Sequence, residues 1–100
     1  MKLLKEFTNN YNNYKIREFN KKYKTNIKYD NEGKLDLEEK YIDNEGLKDL
    51  YKINFKQVQI LNLSHNKISD IKVLESVNFK ELQTLDVSWN QLSDIKVFQI

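Results

Sequence analysis

The sequence predicts an α/β solenoid: short parallel strands along a concave face, short helices or 3-10 turns along a convex face, and a helical cap at the N-terminal end. Two observations carry this prediction. Residues 54–76 and 78–100 align without a gap, Asn54 falling on Asn78 and Ser69 on Ser93, and a fixed period of that length marks a repeat architecture. Apolar residues recur at matching places, Val58, Leu61, Leu63, Ile68, Ile71 and Leu74 in one unit and Leu82, Leu85, Val87, Leu92, Ile95 and Phe98 in the next.

Residues 1–28 do not repeat and differ in composition. They hold eight basic and two acidic residues, a net of +6, whereas 29–100 hold nine basic and thirteen acidic, a net of −4. Ile16, Phe19 and Tyr23 lie at helical spacing, and Leu3, Leu4 and Phe7 form a shorter apolar cluster before an asparagine-rich break at Asn9–Asn13. The pattern predicts two short helices, or one interrupted helix, covering a first strand at Leu35 and Leu37. An uncovered solenoid end would expose core and an unpaired strand edge. Lys21, Lys22, Lys24 and Lys28, interleaved with Tyr23 and Tyr29, read as the solvated face of such a cap. The alternative is a patch for a polyanion or membrane surface, whose affinity would fall steeply with salt.

Within a unit, Leu61 and Leu63 point to one side of a strand and Asn62 to the other. Ser64, His65, Asn66 and Lys67 then break the alternation. Asn66 suits the turn because its amide both donates to and accepts from backbone groups left unpaired where a strand ends. One such buried group without a partner costs about 1–3 kcal/mol. Ile68 and Ile71 bring the chain back beneath the strand, and Ser69 with Asp70 is placed to cap a short helical turn through Val73 and Leu74.

With Asn66 and Asn90 the recurring positions spell LxxLxLxxNxL, and in this the chain resembles the leucine-rich repeat family. The resemblance implies that Asn66 and Asn90 form a structural asparagine ladder and that Phe55 and Phe79 stack as a spine. A degenerate unit precedes the two clear ones. Setting Leu35, Asp36 and Leu37 on Leu61, Asn62 and Leu63 gives an offset slightly longer than the one between the clear units, with Ile42 on Ile68 and Lys40 in the asparagine place. This first coil is therefore expected to lack the ladder contact. Leu47, Leu50 and Ile53, preceded by Asp43 or Asn44, predict a true α-helix on its return path. Its LDLxxxxIxxEGLxxL pattern is similar to repeats of the ribonuclease-inhibitor kind, and the later SDI units to the short-backed repeats of internalins and phosphatase regulatory subunits. The domain reading is a basic cap over 1–28 and repeats over 29–100, divided as a degenerate repeat 29–53, a repeat 54–77 and an incomplete repeat 78–100.

The chemistry-bearing residues are few. His65 is the single histidine and there is no cysteine, so neither a zinc cluster nor a Cys/His nucleophile pair can be assembled. No glycine-rich phosphate loop occurs. The two DNEG stretches, Asp30–Gly33 and Asp43–Gly46, lack the ligand spacing of a calcium loop and read as turn and helix-cap signals. Catalytic residues, metal ligands and cofactors are accordingly expected to be none. Without cysteine there are no disulfide-stapled caps of the secreted type, and Lys5 and Glu6 interrupt any apolar leader. An intracellular, cytoplasmic location is the expectation. Alanine and proline are absent while Lys, Asn, Ile and Tyr abound, which suggests an AT-rich genome.

What remains is a surface. Stacked strands align Lys34, Ile60 and Thr84; Asp36, Asn62 and Asp86; Glu38, Ser64 and Ser88; and Glu39, His65 and Trp89 in columns. Ile60, Asn62, Ser64, His65, Thr84, Asp86, Ser88 and Trp89 are the candidate protein-binding residues, with Trp89 as anchor. The predicted function is recognition of a partner protein, whose identity these residues do not name. A targeting segment of a larger enzyme and a polyanion-binding arm are the alternatives. Ile100 falls inside a return segment that leaves Leu92, Ile95, Val97 and Phe98 uncovered, so the array is expected to continue or to pair its open edge with another chain.

Overall fold

A computed structural model describes residues 2–28, 33–53, 57–75 and 81–92. The chain runs α1 (Lys2–Tyr23), β1 (Gly33–Asp36), α2 (Asn44–Tyr51), β2 (Val58–Asn62), α3 (Ile71–Glu75) and β3 (Thr84–Asp86). Coil 1 comprises β1 and α2, coil 2 comprises β2 and α3, and coil 3 begins with β3.

The three strands form one parallel sheet in the order β1-β2-β3. Lys34 pairs with Ile60 and Ile60 with Thr84; Asp36 pairs with Asn62 and Asn62 with Asp86. These are the partners that aligning the three units by sequence selects. The ladder slips once, between Gly33 and Lys34, where Gly33 takes a φ of +86° that a side chain would resist. Beyond the strands it continues through Leu37 N to Asn62 O and Leu63 N to Asp86 O, each 2.8 Å.

Alternation along the strands sends Leu35, Leu37, Leu61 and Leu63 inward, where they meet Ile42, Leu47, Leu50, Ile68, Val73 and Leu74. Seven side chains are fully buried, Leu37, Ile42, Leu47, Leu50, Leu61, Leu63 and Ile68. At about 1.5–3 kcal/mol for each buried aliphatic side chain, they are the main stabilising term, and all seven lie in coils 1 and 2. Leu82, Leu85, Val87 and Leu92 of coil 3 are only partly buried. Phe55, Phe79, Ile95 and Phe98, expected in the spine or core, lie outside the described residues, as does the open edge expected at the Ile100 end.

The expected break at Asn9–Asn13 does not occur: α1 is one unbroken helix of 22 residues. Asparagine costs a helix only some tenths of a kcal/mol against alanine, far less than proline, and tertiary packing overrides it. Asn12 lies one turn before Ile16 on the same face, and Asn12, Ile16 and Phe19 are all buried. The helix ends where Lys24 turns left-handed, at φ 54°, and Thr25 N donates back to Asn20 O at 3.2 Å, a Schellman closure. The Asn20 amide then holds the departing chain at both backbone groups of Ile27, accepting from its N–H at 2.8 Å and donating to its carbonyl at 3.0 Å. That fixes Ile27 in the core.

Helix α2 starts at Asp43, whose carboxylate accepts from Gly46 N at 2.8 Å, the N-cap geometry. The same oxygen accepts from the Tyr23 hydroxyl at 3.2 Å, joining α1 to coil 1. Gly46 admits this contact because it lacks a side chain: a Cβ there would sit 2.5 Å from Tyr23 Oη. Burial first, and the neighbouring Asp43 charge second, push the Tyr23 phenol up to about 12. The Gly46 hydrogen bond, above all, holds Asp43 below the usual carboxylate range. In coil 2 the shorter α3 follows Asp70, whose carboxylate accepts from Lys72 N at 2.9 Å.

Candidate functional site

Each strand leaves the sheet through a turn built around one side chain. Asn66 is buried at 6% exposure. Its amide nitrogen donates to Leu37 O at 2.8 Å, Leu63 O at 3.0 Å and Ser64 O at 3.2 Å, and its oxygen accepts from Lys40 N at 3.1 Å and Ile42 N at 2.9 Å. Asn90 repeats the arrangement one unit further on, donating to Leu63 O at 2.8 Å and accepting from Ile68 N at 3.0 Å. Each asparagine thus serves its own coil and the one before it. The Lys40 side chain cannot accept a hydrogen bond, and Asn66 supplies the bonds its turn would otherwise lack.

A second clasp, on the helix side, was not anticipated from the sequence. The Asn44 side chain accepts from Ser69 N at 3.0 Å and Asp70 N at 3.1 Å, and donates to Ser69 Oγ at 3.1 Å. Position 44 opens α2 and reads as a cap residue. Only the repeat offset, which sets Asn44 level with Asp70, hinted at a contact between coils.

On the sheet face away from the core, a second set of carboxylates and amides closes local turns. Asp86 Oδ1 accepts from Ser88 N at 3.0 Å and from Ser88 Oγ at 2.6 Å, while Asn62 Oδ1 accepts from Ser64 N at 3.0 Å and Ser64 Oγ at 2.7 Å. Asp36 Oδ1 accepts from Glu38 N and from Asn62 Nδ2, both at 3.2 Å. The Ser88 hydroxyl first, its N–H next and the His65 imidazole after them hold Asp86 below the ordinary carboxylate range. These bonds use one oxygen of each aspartate.

The last column is built differently. Glu39, His65 and Trp89 share a left-handed backbone, with φ 56°, 56° and 57°. That conformation costs roughly 1–2 kcal/mol for a residue with a side chain. It turns the following residue of coils 2 and 3, Asn66 or Asn90, inward and leaves its own side chain outside. Trp89 is 77% exposed and Ile60 41%. The His65 and Trp89 rings stack at 5.6 Å between centroids with planes 15° apart.

Of the predicted face, Ile60, His65, Thr84, Asp86, Ser88 and Trp89 are exposed and Asn62 half-buried, but Ser64 is buried. Ser64 shares the register of Glu38 and Ser88 yet turns its hydroxyl onto Asn62, so it offers a partner little. Tyr41, absent from the prediction, is 69% exposed, left-handed at φ 57° and covered on one ring face by Lys67 Nζ at 5.1 Å. Among the described residues no group of three His, Cys, Asp or Glu is placed to hold a metal ion. No described helix is long and apolar enough to cross a membrane.

Parallel strands on one side, helices on the return paths and asparagines bridging neighbouring coils make an α/β array of repeated coils preceded by a helix, an arrangement consistent with leucine-rich repeats. Residues 56–99 match the family model described as Leucine Rich repeats (2 copies), so that stretch is a pair of leucine-rich repeats, units that generally serve as protein-interaction modules. No curated protein and no solved structure matches the chain.

Proposed function

We propose that the chain is a protein-recognition module that engages a partner protein across the exposed face of its sheet, on Trp89, His65 and Ile60. The observation that carries this reading is the Trp89 indole, 77% exposed, fixed by a backbone the turn imposes and by the stacked His65 ring. Large rigid aromatics set among polar groups are the commonest binding anchors, and one ordered before binding loses less entropy on binding. The role is binding rather than catalysis, and the absence of cysteine favours an intracellular setting.

The test is affinity capture from source-cell lysate with wild type and a His65→Ala/Trp89→Ala variant of matching circular dichroism, read by quantitative mass spectrometry. Proteins retained by wild type and lost by the variant support the reading; an identical set overturns it. With the captured partner in hand, Trp89→Ala alone is expected to weaken binding by more than about 2 kcal/mol with folding nearly intact.

A further inference from the structure

Resting on that reading, we infer that the occupant of the exposed sheet face is a basic segment in extended conformation, laid across the strands with an arginine on Trp89. Charge selects the occupant. The face carries Asp36, Glu38 and Glu39 on coil 1 and Asp86 on coil 3, against Lys34 as the one lysine in its columns. All four carboxylate residues are exposed. The hydrogen bonds of Asp36 and Asp86 engage Oδ1, leaving Oδ2 for a cation from outside. This contrasts with the N-terminal part of the molecule, where positions 1–28 carry a net of +6, so the acidity belongs to the repeats.

Trp89 supplies the apolar half of the site. His65 stacks on the ring, yet 77% of the residue stays in solvent. A guanidinium stacks on an indole and pairs with a carboxylate at the same time, which an ammonium does less well. Trp89 and Asp86 belong to one coil, as anchor and counter-charge.

Dimensions set the kind of partner surface. Three strands about 4.8 Å apart span about 10 Å, the run of about three residues of an extended chain laid across them. In the extended polyproline II form a segment advances about 3.1 Å per residue and presents every third side chain on the same face. An arginine over Trp89 and Asp86 therefore places a second basic residue, about three positions away, over Asp36, Glu38 and Glu39. Ile60 lies between them, in the middle strand.

Trp89 is the single tryptophan, so its fluorescence reports this site alone. The full chain would be titrated with three blocked glycine-based hexapeptides carrying two arginines, two lysines or two glutamates three positions apart. The arginine peptide is expected to shift the indole emission saturably and to bind at least about threefold tighter than the lysine peptide. The glutamate peptide is expected to leave the emission unchanged. A Glu38→Gln/Glu39→Gln/Asp86→Asn variant is expected to lose about tenfold in affinity for the arginine peptide. The fold tolerates the last change, since Asn62 fills the equivalent place in coil 2 with the same serine contacts. Equal binding of the glutamate peptide, or undiminished binding by the neutralised variant, overturns the inference. Selection from an unbiased displayed peptide library, scored for loss on Trp89→Ala, separates the two levels. Trp89-dependent binders rich in arginine support the inference. Trp89-dependent binders without basic residues sink it and leave the recognition face standing; no Trp89-dependent binder sinks both.

Discussion

Coil 1 and coil 2 solve the same turn with different residues. In coil 2, Asn66 holds its own strand end through Leu63 O and Ser64 O. In coil 1, Lys40 stands in that place and the turn is held from outside, through Asn66 on Leu37 O, Lys40 N and Ile42 N. Coil 1 also takes two left-handed steps there, Glu39 and Tyr41, where coil 2 takes one at His65. The difference shows that the asparagine's indispensable work lies between coils. Coil 1, with no earlier strand of the sheet to serve, does without one, whereas coils 2 and 3 each carry one for the coil before.

The sharpest way to break the comparison is to exchange the two residues. Asn66→Leu leaves several buried carbonyls and N–H groups without partners and is expected to cost about 3–5 kcal/mol, seen as a lower midpoint in urea denaturation. Lys40→Asn, at the equivalent position, is expected to change stability by less than about 0.5 kcal/mol. Equal effects at the two sites would refute the directional ladder.

The next effect separates the helices. Coil 1 carries the longer helix and ties it to α1 through Tyr23, so Gly46→Ala, which drives a Cβ against the Tyr23 ring, is expected to cost about 1–3 kcal/mol. Combining it with Tyr23→Ala should show a coupling between the two changes, because they share the contact. Strict additivity would mean that the ring moves aside freely.

Asp43, capping α2, gives the comparison a pH dependence. Its carboxyl is held below its unfolded value of about 3.9 chiefly by Gly46 N, so its contribution is complete above that value and fades as pH falls through the folded pKa. Tyr23 works at the other end: raised to about 12 from an unfolded value of about 10, it stabilises fully below 10, and that contribution is lost as pH rises toward 12. Asp43→Ala is expected to cost about 1 kcal/mol near neutrality and to flatten the acid limb of a stability profile measured by denaturant titration. An unchanged acid limb would contradict the cap's role.

The smallest effect concerns the left-handed column. Glu39→Gly removes the Cβ that the φ of 56° disfavours and is expected to raise stability by about 0.5–1 kcal/mol, net of glycine's greater unfolded-state entropy. His65→Gly should gain less, since it gives up the stack on Trp89. Thermal melts of the two variants would rank them.

Much of the fold was legible because a fixed repeat period carries register in itself. Once Leu35 and Leu37 are set on Leu61 and Leu63, the pairings of Lys34, Leu35 and Asp36 follow. Helix α2 was legible for a local reason, since Asp43 shortly before Gly46 is a cap signal. The continuity of α1 was not, because what keeps Asn12 helical is burial in the packed molecule and not its own propensity. The candidate face was legible as columns but not in depth. Ser64 and Ser88 occupy the same register, yet Ser64 is buried and Ser88 exposed, which depends on a neighbouring coil lying on each side of Ser64. Of glutamate, histidine and tryptophan only histidine is enriched in the left-handed region, too weak a cue to mark the shared backbone of Glu39, His65 and Trp89.

The backward reach of the asparagines bears on how such a molecule grows. A repeat unit added after coil 2 arrives with the fastener for the coil it joins: Asn90 grips Leu63 O and Ile68 N, main-chain groups that any side chain but proline's at those positions leaves in place. Lengthening in that direction is a matter of copying one unit. A unit inserted ahead of coil 1 would meet Lys40, which has nothing to offer a predecessor, and would require a second, coordinated change. The chain therefore has a grammar, in which each word closes the one before it and only one end accepts new words freely.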